Sequence, residues 1–171
     1  MKHYISIIIL AIFLFSCNGH SKHWETLSQV ESYIEEKPDS ALVTLEQMDL
    51  SELSGKEEKA KYALLYSMAL DKNFVDKTDF EVLQPAIDYY EDNGSATDKL
   101  RTYYYQGRIY QNMGNDALAM ESYVNAIKNE ETSDDILTKA RSYVAQGNIL
   151  CFNEVGESMR SNSRQSSYKI L

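Results

Sequence analysis

The chain has 171 residues, 26 acidic against 17 basic side chains and a formal charge of −9, with 43% apolar residues. One domain is expected at that length. An acidic chain without a basic block is a poor candidate for nucleic acid, whose binding rests on neutralised phosphates, and anionic membrane surfaces are disfavoured for the same reason.

At the N-terminus, Lys2 and His3 precede an apolar run from Ile5 to Phe15 that closes on Ser16 and Cys17. That is the layout of a secretory signal peptide. The run has about half of the roughly twenty residues that a membrane-spanning helix needs. Its last four residues, Leu14, Phe15, Ser16 and Cys17, resemble the lipobox of bacterial lipoproteins, although Phe15 is bulkier than the usual residue. The resemblance implies cleavage after residue 16, a diacylglycerol on Cys17 and attachment to the cell envelope, with the periplasmic face of the outer membrane favoured over the cell surface. The alternative is a secreted protein with an incidental cysteine at the cleavage point. Removing Lys2 with the signal (17 − 1) leaves 16 basic against 26 acidic side chains, and a single further thiol, Cys151, which can form no internal disulfide.

Residues 17–23 are short, polar and aperiodic and read as a tether. From Trp24 onward, apolar residues recur at three and four residue spacing and nothing alternates like a strand, so the domain 24–152 is predicted to be all-α. Helices are expected over residues 25–36, 38–49, 56–72, 79–92, 96–113, 115–130 and 134–152. Pro38 suits a first helical turn. Gly94 and Gly114 suit helix ends. Thr78 with Asp79, and Ser133 with Asp134, offer capping oxygens. Pro85 conflicts with a helix starting at 79 and points to a start at the proline itself. Beyond residue 152, five serines fall between Ser158 and Ser167, so 153–171 is expected to be a polar tail, either disordered or the remnant of a longer chain.

Between Tyr103 and Ala126, the residues Tyr103, Gly107, Tyr110, Gly114, Ala119, Tyr123 and Ala126 resemble the tetratricopeptide repeat in register. The usual closing proline is replaced by Glu131. Flanking units hold register at a spacing of about forty residues, the order of period that marks helical repeats. Ser67, Gly107 and Gly147 share the small position, Ala63, Tyr103 and Tyr143 the first position, and Leu83 and Tyr123 the bulky one, with Ala86 matching Ala126. Ala41 and Leu45 suggest an opening unit. Residues 24–150 as a whole resemble the N-terminal part of tetratricopeptide lipoproteins of the Bacteroides type. The resemblance implies a right-handed α-solenoid of antiparallel helix pairs, three with a partial fourth, binding another polypeptide in a concave face.

It further implies that the first helix of each pair lines the groove. Those positions are Lys61, Leu64, Met68 and Asp71, then Arg101, Tyr104, Arg108 and Gln111, then Arg141, Val144, Asn148 and Cys151. Lys61, Arg101 and Arg141 would form a basic row, joined by Arg108, suited to a peptide C-terminus or an acidic segment. The alternative is that these cations are solvated or paired with neighbouring acids such as Asp98. Tyr105 reads equally as groove or as packing.

Little chemistry of another kind is legible. His3, His20 and His23 all fall in the signal or tether, which leaves the expected domain without a histidine base. Cys151 has no histidine partner to activate it. The seven glycines are scattered, without a phosphate loop. Acidic pairs at 57–58, 91–92, 130–131 and 134–135 lack calcium-loop spacing. No catalytic residue, metal, cofactor, nucleic acid or small-molecule substrate is therefore expected. Three functions fit: a scaffold for a partner protein, the sensory or regulatory portion of an envelope signalling protein lacking its output domain, and a packing subunit of a nutrient-uptake complex.

Overall fold

A computed structural model describes residues 21–128 and 132–167 of the protein, with side chains as far as residue 154. The export segment, Cys17, Glu130 and Glu131 lie outside the described residues. Within them the chain is all-helical: α1 (Lys22–Tyr33), α2 (Pro38–Glu46), a 3-10 turn (Leu50–Glu52), α3 (Gly55–Lys72), α4 (Gln84–Asn93), α5 (Ala96–Asn112), α6 (Asp116–Lys128) and α7 (Ile136–Ser167). No described helix is long and apolar enough to cross a membrane.

The helix ends have local causes. Ser21 accepts a hydrogen bond from the Trp24 backbone at 3.1 Å, so α1 begins inside the segment expected to be a tether. His23, expected outside the fold, lies in that first turn with its Nε2 2.9 Å from Glu52. Buried Glu58 accepts from the Ser54 backbone at 2.5 Å and from the Ser21 hydroxyl, tying the start of α1 to the start of α3. Pro38 opens α2. The helix expected from residue 79 instead starts at Gln84 with Pro85 in its first turn, where the missing N–H costs nothing. Asp79 caps a turn there, accepting from Glu81 at 3.0 Å. A reciprocal box between Ser95 and Asp98 starts α5, and Gly114, at φ 73°, ends it in the left-handed region. Gly94 is extended and does not act in that way. At its other end α7 continues to Ser167, past residue 152, through the serines read as tail.

Each helix packs on its successor, and the odd-numbered helices also pack on one another in order: α1 on α3, α3 on α5, α5 on α7. Where the helices meet, small and bulky residues alternate. Ala41, Ala86, Ala119 and Ala126 are fully buried, as are Leu45, Leu83 and Tyr123. Full burial of a side chain such as Leu45 contributes about 1.5–3 kcal/mol. The closest approach is at Gly107: a Cβ there would stand 2.5 Å from the Tyr123 ring, so only glycine admits the ring between α5 and α6. Tyr110 packs edge-on against Phe80 with ring centroids 4.9 Å apart, and Tyr103 borders the core.

Burial is unequal along the chain. Leu100, Thr102, Tyr104, Tyr105, Gly107 and Ile109 are buried around most of α5. Among the described side chains of α7, the stripe Thr138, Ser142, Ala145 and Ile149 alone is buried, and Tyr143 is 51% exposed. Ala119→Leu places three extra carbons in a filled crossing and should cost about 1–3 kcal/mol. Ala117→Leu, on the exposed side of the same helix, should leave the urea midpoint nearly unchanged.

Candidate functional site

Two carboxylates at the C-terminal end of α1 organise the charges between the odd-numbered helices: Glu31 lies in its last turn and Glu35 in the turn that follows Tyr33. Glu31 accepts from Lys61 Nζ at 2.5 Å and from Arg101 Nη1 at 2.6 Å. Glu35 accepts from both terminal nitrogens of Arg141 at 3.0 and 2.8 Å, and from Lys72 Nζ at 2.8 Å. Residues 106 positions apart in sequence are thereby joined. Arg101 also reaches Asp135 through Nε at 2.5 Å, while Arg108 donates from Nε to Asp71 at 2.8 Å. Five cations (Lys61, Lys72, Arg101, Arg108, Arg141) thus meet four carboxylates (Glu31, Glu35, Asp71, Asp135), leaving one positive charge in excess.

Burial by itself would push the Glu31 and Glu35 carboxyls up. The bonds from Lys61 and Arg101, and from Arg141 and Lys72, outweigh it and hold both below the usual carboxylate range. Asp135 is held low against burial by the Thr138 backbone N–H and by Arg101. Burial raises the Tyr123 hydroxyl, which stays protonated and donates to Gln111 Oε1 at 2.5 Å.

Beside this network, α5 and α7 enclose a cleft of about 340 Å³ lined by Tyr104, Arg108, Gln111, Arg141, Val144 and Asn148, with Leu137, Ala140 and Ala145. Six of the positions assigned to a groove thus come together in one place. Others do not. Lys61 bonds Glu31 and lies 4.8 Å from the Trp24 ring. Leu64 and Met68 are core residues, 3% and 0% exposed. Arg101 is held between Glu31 and Asp135, and Cys151 is exposed. Asp98, read as a partner for the cations, caps α5 instead. Tyr105 is packed. A larger depression of about 520 Å³, lined by Leu50, Leu53, Lys59, Tyr62, Ala63, Tyr66, Glu81, Val82 and Pro85, has walls rich in apolar atoms and carries no arginine.

Sequence reasoning missed Glu31, Glu35, Lys72 and Asp135. The only signal was the i, i+4 acidic pair in the helix expected over 25–36, which says nothing of which helix meets it. No family model, curated protein or solved structure matches the chain.

The three depressed carboxyls set a pH dependence. Because their folded values lie below the unfolded ones, they stabilise the fold above the unfolded values of about 4 to 4.5 and lose that contribution as pH falls through the folded values. The urea midpoint should therefore decline between about pH 5 and pH 3. Glu35→Gln should lower the midpoint at pH 7 and flatten its fall in acid.

Proposed function

We propose that the protein is a lipid-anchored envelope scaffold that holds another polypeptide in the cleft between α5 and α7. Its helix pairs are read as stacking side by side in the manner of tetratricopeptide repeats. The stepwise packing of α1, α3, α5 and α7 supports that stack, as does the recurrence of small and bulky contacts about every forty residues. Cys17, outside the described residues, supplies the anchor through its likeness to a lipobox cysteine, and export would place the domain facing the periplasm.

The observation that carries the binding reading is the convergence of Arg108 and Arg141 on one cleft with Tyr104, Gln111 and Asn148. A guanidinium has five donors, and neither arginine is saturated by its carboxylate partner. One incoming carboxylate would bring the network to five charges of each sign. A C-terminal carboxylate or an acidic side chain of an extended segment meets that need, with Leu137 and Val144 offering apolar wall. Glu35 and Asp71 then act as internal competitors that keep the cleft ordered when it is empty.

Crosslinking in native membranes followed by mass spectrometry tests this reading. Arg108→Glu and Arg141→Glu should each weaken partner capture by roughly tenfold or more, since a hydrogen bond to a charged group contributes about 1.5–3 kcal/mol. Undiminished capture by both folded variants would remove the cleft from consideration.

A further inference from the structure

Among the described residues, exposed apolar side chains concentrate on α7: Ile136, Leu137, Tyr143, Val144, Leu150 and Phe152 are 51% to 75% exposed. Ile136, Ala140, Tyr143, Gly147 and Leu150 follow one another at four and three residue steps and so form a single stripe. The stripe lies opposite the buried positions Thr138, Ser142, Ala145 and Ile149.

The molecule contains this face twice. Forty residues earlier, Tyr103, Gly107 and Tyr110 occupy the same steps on α5, and there α6 covers the face with the Tyr123 ring lying directly on Gly107. At Gly147 a Cβ would meet nothing within 4 Å. A glycine placed to admit an aromatic ring therefore stands open on α7.

We propose that this face pairs antiparallel with α7 of a second copy of the chain. In one register, Tyr143 of each copy stands opposite Gly147 of the other, and both contacts are made at once because the two-fold axis falls at position 145. The same register sets Ala140 opposite Leu150, again in both directions. Every stripe position from 140 to 150 then meets a residue of complementary size, which is what an isologous interface requires. A parallel pairing would place Tyr143 on Tyr143 and glycine on glycine. The charge pattern is compatible with a second copy: the stripe Ile136, Ala140, Tyr143, Gly147 and Leu150 carries no charged side chain, so two copies of an acidic chain can meet along it without setting carboxylates of 136–153 against each other.

Analytical ultracentrifugation of the full-length chain in density-matched detergent, under reducing conditions because Cys151 is exposed, tests the pairing. A reversible dimer is expected. Gly147→Trp and Tyr143→Ala should each weaken dimerisation by roughly tenfold or more, as substitutions at a packed interface centre do. Gly147 has open surroundings, so the tryptophan variant should keep the helical circular dichroism and thermal transition of the parent. A monomer at every concentration would overturn the proposal, as would a dimer indifferent to Gly147→Trp. If the chain stays monomeric and binds a synthetic peptide with the sequence of α6, the face takes a helix of that kind from another protein and the self-pairing is wrong.

Discussion

The fold turns on a single close approach, the Tyr123 ring against the bare backbone of Gly107. A methyl group at position 107 would overlap the ring, so α5 and α6 sit as near as they do only because that side chain is a hydrogen. The ring in turn lies 5.8 Å from Tyr104, and its hydroxyl fixes Gln111. Two residues of the candidate cleft are therefore positioned from behind by the same contact that sets the helix spacing. Packing and site are not separable here: moving Tyr123 moves the wall on which a ligand would rest.

Electrostatics does the complementary task of holding distant helices in place. Glu31 in the last turn of α1 and Glu35 just beyond it draw in cations from α3, α5 and α7, across sequence separations of 30 to 106 residues. Isolated surface ion pairs contribute little. Here the pairs are partly buried, shared between carboxylates and bidentate at Arg141, the conditions under which charge pairs fix geometry. The same arrangement gives the acidic protein one small region of positive excess, and the arginines at its open edge face the cleft. Binding in this reading adds one carboxylate to arginines that keep unused donors beside Glu35 and Asp71, and it neutralises that excess.

What the sequence disclosed follows from local physics. Pro38 and Gly114 act within one turn, so their effects could be read directly. The box between Ser95 and Asp98 escaped that reading, which gives Asp98 to the cations as a partner. The alternation of Ala119, Tyr123 and Ala126 was legible because size must match across any helix crossing. The pairing of Arg101 with Glu31 and of Arg141 with Glu35 was not, since periodicity names a face and leaves its partner open. Leu64 and Met68 were assigned to a groove and lie in the core, because a central helix of a packed array has no free side. The run of α7 to Ser167 was hidden for another reason: serine content speaks to burial and leaves backbone conformation undetermined.

The most direct measurement is a double-mutant cycle between Gly107 and Tyr123 by urea denaturation. Gly107→Ala should destabilise the parent protein, yet become neutral or stabilising once Tyr123→Leu has removed the ring, because alanine is intrinsically better than glycine in a helix by roughly 0.5–1 kcal/mol. A coupling of about 1 kcal/mol or more is predicted. Additivity within about 0.5 kcal/mol would mean that ring and glycine do not touch, and the helix spacing described above would be contradicted.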